Sequence, residues 1–269
     1  MKRLNFTGFL IIIVFLLSYG ISVAGNIDNK KDQPQTIKLL TIGNSFADNA
    51  CVYLKQITES VEGCNIVIGN ANIGGCSLEK HAGLIKKCEQ NPALKPYHGK
   101  SLKEFLQQDD WDIVTIQQVS HFSFKSETFH PYADEICAFV KKYAPQAKIY
   151  IHETWAYAPD CSRLKGFGLT SDQMYKKLKK NYKALSKLYK FPILPSGDAF
   201  YQSFKKNKDI DLWHSGGRYH ANNNGCYLVG CVWFGKLFER SPKEITYIPE
   251  GMTEETANFF QSIAGKLVP

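Results

Sequence analysis

The feature that most constrains the fold is a regular alternation of short apolar runs with stretches of helical periodicity. Runs that are apolar along their whole length predict strands buried on both faces, and strands separated by helices pair in parallel. The sequence therefore predicts an α/β fold with three layers (α/β/α) and a flavodoxin-like parallel sheet of about five strands. The five runs are Ile37–Ile42, Ile66–Ile68, Ile113–Ile116, Ile149–Ile151 and Phe191–Leu194.

Helical patterns fill the intervals between these runs. Ser101 and Glu104 form a capping box that predicts the start of a short helix. Ser171 is the predicted N-cap of a long helix, and Gly225–Phe238 is apolar on nearly all sides, as a buried helix is. Further apolar helix faces are Ala50, Leu54, Ile57 and Val61; Ile136, Phe139, Val140 and Tyr143; Met174, Leu178, Tyr182 and Leu185; and Ala257, Phe260 and Ile263.

The N-terminus has the pattern of a targeting segment. Lys2 and Arg3 precede the apolar run Phe9–Leu17, and Ser22–Ala24 offers small residues for cleavage. We predict a signal peptide over residues 1–24, a polar linker over 25–35 and one domain over 36–269, in a protein exported to the periplasm, cell surface or medium of a bacterium. An uncleaved anchor is the alternative. No later stretch reaches the ~20 apolar residues of a membrane span, so we expect no stable insertion after cleavage.

Charge and cysteine content exclude some classes of protein. The net charge of +8 falls to +6 without Lys2 and Arg3. The lysines at 176–180 are interpreted as a solvated helix face, with attraction to an acidic polymer as the alternative, and no nucleic-acid motif is present. Eight cysteines permit disulfides in an exported chain, but Cys226 and Cys231 lie on different sides of a helix and should not pair. Metal-type C-x-x-C spacing is absent.

The carboxyl ends of parallel strands are where ligands bind in such folds, so the residues after each strand matter most. After the first strand, Gly43 allows a sharp turn, and Ser45 stands just ahead of a helix N-terminus. Backbone N–H groups there favour developing negative charge, which suits a nucleophile. The same residues would serve equally well as a helix cap or a phosphate loop.

Three other segments carry polar or flexible residues at strand or helix ends. Gly74-Gly75 lets a backbone N–H approach a ligand, Gln117-Gln118 supplies side-chain amides, and His220 precedes the buried helix as a potential general base. Each also has an ordinary structural interpretation as a turn, a surface segment or a structural histidine.

Taken in order, these segments resemble the blocks of the SGNH (GDSL-like) hydrolase family over residues 36–266. Gly43-Asn44-Ser45-Phe46 resembles the block with the nucleophile, and Gly74-Gly75 the block whose Gly binds the oxyanion. Residues 111–120 resemble the third block, and His220 with Asn224–Leu228 the last. A bacterial branch with a Gly-Asn-Ser-Phe start is most similar. The resemblance implies the SGNH fold, Ser45 as nucleophile, His220 as base and Gly75 as oxyanion donor.

Two departures from the family pattern concern the oxyanion hole and the catalytic acid. Gln117 stands where most of the family has an Asn donor, so the resemblance implies an oxyanion hole of Ser45, Gly75 and Gln117, with Gln118 as the alternative. The family's Asp three residues before the catalytic His is replaced by Gly217. Either Ser45 and His220 act as a dyad, or Asp211 or another acid reaches His220, or His214 of Asp211-Leu212-Trp213-His214 is the base. We prefer His220.

The expected function is therefore ester hydrolysis, with acetylated glycans as the expected substrates and no metal or organic cofactor. Four aromatic residues could stack on sugar rings, although such residues more often belong to the core: Trp155, Tyr157, Trp213 and Tyr219. The alternatives are a non-catalytic glycan-binding protein, a metal-dependent hydrolase that uses His214 and His220, and a nucleotide binder. The sequence matches no strong zinc pattern and no phosphate-loop signature.

Overall fold

The computed structural model of the chain describes residues 34–268, together with Met1. The predicted signal peptide and nearly all of the predicted linker lie outside the described residues. The last linker position, Gln35, already belongs to the first strand, where it pairs with Cys64. Gln35 N also donates to the Gly63 carbonyl. The predicted linker is thus too long by one residue.

A single sheet of five parallel strands forms the centre of the fold, in the order β2-β1-β3-β4-β5. All four residues of β3 are buried, as expected for a strand covered on both faces. The predicted α/β class with a flavodoxin-like sheet is confirmed. The strands are β1 (Gln35–Ile42), β2 (Cys64–Asn70), β3 (Ile113–Ile116), β4 (Lys148–His152) and β5 (Ile193–Leu194).

The strand register brings the carboxyl ends of the central strands to one edge of the sheet. Thr41 pairs with Asn70, and Ile42 pairs with Ile116, which in turn pairs with Ile151. The strand order reverses between β1 and β3, because β2 lies on one side of β1 and the later strands lie on the other. Crevices at such switch points are the usual ligand sites of open α/β sheets.

Ten α-helices and two short 3₁₀ helices surround the sheet in the described part of the chain. Helix α9 packs against α1, α2, α8 and α10, which explains why it is apolar on every side. A second group is formed by α3, α4 and α5. The α-helices are α1 (Ser45–Cys51), α2 (Leu54–Glu59), α3 (Leu78–Gln90), α4 (Leu102–Gln107), α5 (Tyr132–Tyr143), α6 (Ser162–Phe167), α7 (Ser171–Tyr189), α8 (Ser196–Lys206), α9 (Asn223–Phe238) and α10 (Glu254–Ala264).

Helix boundaries agree with the sequence where capping chemistry is local. The capping box of Ser101 and Glu104 starts α4, as predicted. The N-cap of α7 is Thr170 rather than Ser171, because Thr170 forms a capping box with Gln173. The predicted single helix after β1 is broken into α1 and α2 by a turn. Helices α3, α6 and α8 had not been predicted.

All eight cysteines are free thiols, and most are buried. Their thiols therefore serve as small apolar groups in the core rather than as disulfide partners. None of the helices in residues 34–268 is both long enough and apolar enough to cross a membrane.

Candidate active site

Ser45 and His220 lie together at the carboxyl end of the sheet. Ser45 is the first residue of α1, and its Oγ is 2.8 Å from Nε2 of His220, 175 positions away in the chain. Each side chain stands beside the start of a helix, since His220 closely precedes Asn222, the N-cap of α9. The distance is that of a hydrogen bond between a nucleophile and its base.

His220 is a half-buried imidazole held between aromatic rings. Its ring centroid lies 5.7 Å from that of Phe46 and 4.5 Å from that of Tyr219. Burial lowers the pKa of His220 below 6.5, and the neighbouring His214 and Arg163 lower it further. The imidazole is therefore neutral at pH 7, and its Nε2 can accept the proton of Ser45.

Asp211, the predicted acid, is committed to an ion pair instead. Its Oδ2 lies 2.5 Å from Nη1 of Arg218, and its Oδ1 accepts from the backbone N–H of Trp213. Arg218 also binds Asp160 with Nε at 3.0 Å from both carboxylate oxygens. The described hydrogen bonds of the Asp211 carboxylate thus go to Arg218 and Trp213 and not to His220, contrary to the prediction.

No carboxylate accepts a hydrogen bond from His220 in the described region. Besides the contact with Ser45, its hydrogen bond is made by its carbonyl, which accepts from His214 N at 2.9 Å. Gly217 cannot be replaced by an acid without rearrangement, because its φ is +89° and a Cβ there would be 2.4 Å from Cε1 of Tyr219. Among the described residues, Ser45 and His220 thus meet as a pair, and ring packing and a backbone hydrogen bond position His220.

Two backbone N–H groups are available to bind an oxyanion. The N–H of Ser45 is in the first turn of α1, where helices leave donors unpaired. Gly75 is exposed with φ +62° and open space around its Cβ position. Neither N–H has an acceptor among the described residues. Ile73 N donates to the Gly43 carbonyl at 3.1 Å, which holds the Gly75 loop against the Ser45 loop.

Gln117 was predicted as a third oxyanion donor, but the structure uses it as a buried brace. Its Nε2 donates to Oδ1 of Asn44 at 2.8 Å, and its Oε1 lies 2.8 Å from Nδ1 of His152. A Cβ on Gly43 would be only 2.7 Å from that Oε1, so the nucleophile loop rests directly on the amide. The family resemblance implied that the Gln117 side chain contacts the ligand, whereas it lies beneath the loop that carries Ser45.

Gln118, the alternative donor, is also committed to loop contacts. Its Oε1 accepts from the N–H groups of Leu78 and Val119, and its Nε2 donates to the Thr128 carbonyl at 2.7 Å. It thereby joins the start of α3 to the loop after β3.

Three buried residues hold the nucleophile loop, and sequence reasoning missed two of them, His81 and His152. Asn44 accepts from Phe46 N and donates to the Cys76 carbonyl at 2.9 Å. His81 places Nε2 2.9 Å from the Gly43 carbonyl and Nδ1 3.0 Å from the Tyr97 hydroxyl. His152 supports Gln117. The sequence already offered Asn44 as a helix cap, and it is the N-cap of α1. The two histidines have partners too distant in the chain to leave a local signal.

Both buried histidines are kept neutral. Burial lowers the pKa of His81 to about 4 and that of His152 to about 3. Neutral His81 then carries its proton on Nε2, since the Gly43 carbonyl can only accept, and its Nδ1 accepts from Tyr97. The loop that carries Ser45 is therefore supported without a charged group beneath it.

Three of the four predicted sugar-stacking residues belong to the core. Trp155 is fully buried between Phe46 and Phe200, with ring centroids at 4.3 and 4.6 Å. Tyr157 is buried with its hydroxyl 2.9 Å from Ser120 Oγ, and Trp213 is buried against Phe200 and Phe204. They have no free ring face for a ligand, so this part of the prediction is wrong.

Tyr219 is the one member of the set that is partly exposed. The Arg163 guanidinium lies 4.0 Å from its ring centroid, and Nη2 of Arg163 is 3.3 Å from its hydroxyl. The Tyr219 ring also contacts His220, so it stands at the mouth of the site.

A groove of about 520 Å³ lies next to Ala221, the residue after His220, although neither Ser45 nor His220 lines it. It runs along the face of α1 that continues from Ser45 and reaches the start of α9. Its lining residues are Asn49, Val52, His214, Ala221, Asn222, Asn223, Asn224 and Cys226.

In residues 34–268, no group of three or more His, Cys, Asp or Glu side chains is arranged to hold a metal ion.

Comparisons with known proteins agree with this fold. The sequence profile of a family described as a domain of unknown function (DUF4886) matches residues 38–266. The crystal structure of a DUF4886 family protein from Bacteroides uniformis ATCC 8492 is similar, with a TM-score of 0.77 and 29% identity over 86% of this chain and 94% of that one. No curated protein matches the sequence.

Two more distant structures share the fold. A candidate SGNH hydrolase from Slackia heliotrinireducens has a TM-score of 0.55 and 19% identity over 74% of this chain and 98% of that one. A candidate GDSL-like lipase from Parabacteroides merdae ATCC 43184 has a TM-score of 0.50 and 12% identity over 87% and 98%. The fold is therefore that of the SGNH hydrolases, as the sequence resemblance had implied.

Proposed function

The chain belongs to the DUF4886 family, and we propose that it is a serine hydrolase that cleaves esters, with Ser45 as nucleophile and His220 as general base. The observation that carries this proposal is the 2.8 Å contact between Ser45 Oγ and His220 Nε2. It occurs at the ligand-binding edge of the sheet and beside two unpaired backbone N–H groups.

The reaction follows from this arrangement. Ser45 Oγ attacks the ester carbonyl while its proton passes to Nε2 of His220, and the carbonyl oxygen becomes an oxyanion that receives hydrogen bonds from the N–H groups of Ser45 and Gly75. The carbon–oxygen bond to the alcohol then breaks, and His220 returns the proton to the leaving oxygen. Water, deprotonated by the same imidazole, attacks the acyl-enzyme and releases the acid and free Ser45.

In residues 34–268, no carboxylate accepts a hydrogen bond from His220, and this limits the turnover rate that we expect. In a serine protease triad, losing the function of the orienting Asp lowers turnover by about 10⁴-fold. In this protein the rings of Phe46 and Tyr219 hold the imidazole instead. Ring packing fixes orientation but does not stabilise the imidazolium, so we expect slow turnover on unactivated esters.

A fluorophosphonate probe tests the proposal most directly. We expect covalent labelling of the wild-type protein at Ser45, none in Ser45→Ala, and strongly slowed labelling in His220→Gln. The matched control is Ser126→Ala, which removes an exposed hydroxyl far from Ser45 in the sequence. This variant should label like wild type. Equal labelling and equal hydrolysis of short acyl esters by Ser45→Ala and wild type would refute the role of Ser45.

We propose carbohydrate esters as the substrate and export as the location. The support for a carbohydrate is the groove next to Ala221, which is lined by the asparagines at 49 and 222–224, because side-chain amides can both donate to and accept from hydroxyl groups. The support for export is the N-terminal pattern of Lys2, Arg3 and Phe9–Leu17. Acetate release from acetylated oligosaccharides, and a secreted protein whose first residue is Gly25, are the expected results.

A second candidate function, glycan binding without turnover, is favoured by one observation. His220 lacks a carboxylate partner in the described region, so the base could be too weak to activate Ser45. Binding of an oligosaccharide by a protein that neither labels with the probe nor releases acetate would favour this alternative.

A further inference from the structure

Among the described arginines, Arg163 is the one without a carboxylate partner. Arg218 binds Asp160 and Asp211, and Arg240 binds Glu244. In the part of the chain that the structure describes, Arg163 forms no ion pair, although it is one of the few charged groups near Ser45 and His220. An unpaired guanidinium beside a reactive site is a suitable binding group for an anion.

The guanidinium is held in place and keeps most of its donors free. It stacks 4.0 Å from the Tyr219 ring centroid and donates one N–H to the Tyr219 hydroxyl at 3.3 Å. A guanidinium has five N–H donors, and even with the nearby Tyr157 hydroxyl as a second acceptor most of them remain for a ligand. Stacking on a ring also leaves its edge free to meet a carboxylate with two parallel hydrogen bonds.

Tyr219 connects this cation to the proposed catalytic base. Its ring lies 4.5 Å from the ring of His220 and also contacts the guanidinium. On another side, Arg163 acts on His121, whose pKa is lowered by burial and then by the charges of Arg163 and Lys125. Arg163 therefore lies at the mouth of the site, and its charge lowers the pKa of both His220 and His121.

The acids on the elements around the site are engaged with other partners. Asp160 and Asp211 both bind Arg218, which leaves these three residues with one net negative charge. Asp48 of α1 accepts hydrogen bonds from two asparagine amides. Because none of these three carboxylates pairs with Arg163, its guanidinium is available to a negatively charged ligand.

We propose that the Ser45 site takes esters that carry a carboxylate or another anionic group near the scissile bond, and that Arg163 binds this group. This inference rests on the proposed hydrolase function and names its substrate class. Arg163 is then a specificity residue: it orients an acidic substrate across Tyr219 so that the ester carbonyl meets Ser45. A neutral ester of the same shape lacks this contact.

Matched pairs of esters test the preference on both sides of the scissile bond. On the alcohol side the pair is 4-acetoxybenzoate and its methyl ester. On the acyl side it is mono-4-nitrophenyl succinate and the corresponding methyl 4-nitrophenyl diester. We expect wild type to have the higher kcat/KM for the anionic member of at least one pair, and we expect this preference to decline as salt screens the charge.

Substitutions at Arg163 separate recognition from positioning. Arg163→Met removes the charge and keeps an apolar stem over Tyr219, and it should lower kcat/KM for the preferred anionic ester about 10- to 100-fold. Its kcat/KM for the neutral partner should stay within about twofold. Arg163→Lys should retain part of the preference. Lys165→Met is the control, because it removes one positive charge from the same exposed helix and should leave both values unchanged.

Two results would overturn the inference while leaving the hydrolase proposal intact. One is a wild-type enzyme without preference for the anionic member of either pair. The other is an equal loss for both members in Arg163→Met, which would make Arg163 a positioning residue for Tyr219 and His220.

A wild-type protein that hydrolyses none of the four esters would instead count against the hydrolase proposal. Anion binding is then measured by NMR, following the His220 resonances as benzoate is added. Saturable shifts in wild type that are lost in Arg163→Met support the anion site, and their absence in wild type overturns it.

Discussion

Nε2 of Gln117 donates a 2.8 Å hydrogen bond to Oδ1 of Asn44, directly beneath the loop that presents Ser45. The other end of the same amide meets His152, so a chain of buried side chains connects β4 to the nucleophile loop. Gln117 thereby ties the position of Ser45 to the core of the sheet, and its substitution should affect stability as well as activity.

Replacing Gln117 by Met should lower both the free energy of unfolding and kcat. The substitution leaves Nδ1 of His152 without a partner, at a cost of about 1–3 kcal/mol, and removes one of the two hydrogen bonds that Asn44 Oδ1 accepts. Urea unfolding and ester hydrolysis measure the two effects, with exposed Gln146→Met as the control. A drop in kcat with unchanged stability would instead mark Gln117 as an oxyanion donor.

Gly217→Ala should destabilise the protein by about 1–3 kcal/mol, the usual cost of a side chain at a left-handed backbone position. The new methyl group would also collide with the Tyr219 ring and displace His220, so activity should fall. Gly166→Ala, in α6 with open space around it, is the matched control and should be neutral or slightly stabilising. For the same steric reason, Gly217→Asp should fail to restore a triad.

The stability of the wild type should decrease from pH 4.5 to pH 8 relative to that of Glu153→Gln. Burial, with repulsion from Asp198, raises the pKa of Glu153 to about 8, against 4.5 for an ordinary Glu. Between these values the folded state holds a proton that the unfolded state has lost, so stability falls by up to about 1.4 kcal/mol per pH unit. Urea midpoints of both proteins across this range measure the difference, and parallel curves would contradict the raised pKa.

Ester hydrolysis should retain its plateau down to a pH below 6.5. Catalysis requires neutral His220, and burial with His214 and Arg163 lowers the pKa of this imidazole. The groups packed around it, namely Ser45, Phe46 and Tyr219, are uncharged. The pH profile of kcat/KM for a neutral ester measures this pKa, and an inflection at pH 7 or above would indicate a carboxylate that reaches His220.

All eight cysteines should titrate as free thiols in denaturant without a reducing agent. In the folded protein they should react slowly, because burial raises the pKa of thiols such as Cys51, Cys137 and Cys226 to about 12. Counting thiols with a disulfide reagent before and after unfolding checks both statements. A count of six or fewer in the unfolded protein would show that the exported chain acquires disulfides.

Local sequence patterns were enough for the elements that present the site. The continuous apolar runs located all five strands. Ser45 and His220 were singled out by the ordered resemblance to the SGNH hydrolases, because each segment alone had an ordinary structural interpretation. Capping at Ser101 and the all-round apolar α9 were also recognisable, since each depends on residues within a few turns of one another.

Tertiary structure alone decided what Gln117, Asp211 and Trp155 do. Gln117 faces the core because its partners Asn44 and His152 come from distant parts of the chain. The carboxylate of Asp211 binds Arg218 instead of His220. Trp155 is buried because Phe46 and Phe200 cover both of its faces. Hydrophobic periodicity is a property of neighbouring residues, whereas the direction of a polar or aromatic side chain depends on partners that meet only in the folded chain. The sequence thus determined the sheet and the place of Ser45 on it, and folding decided which groups support and surround Ser45.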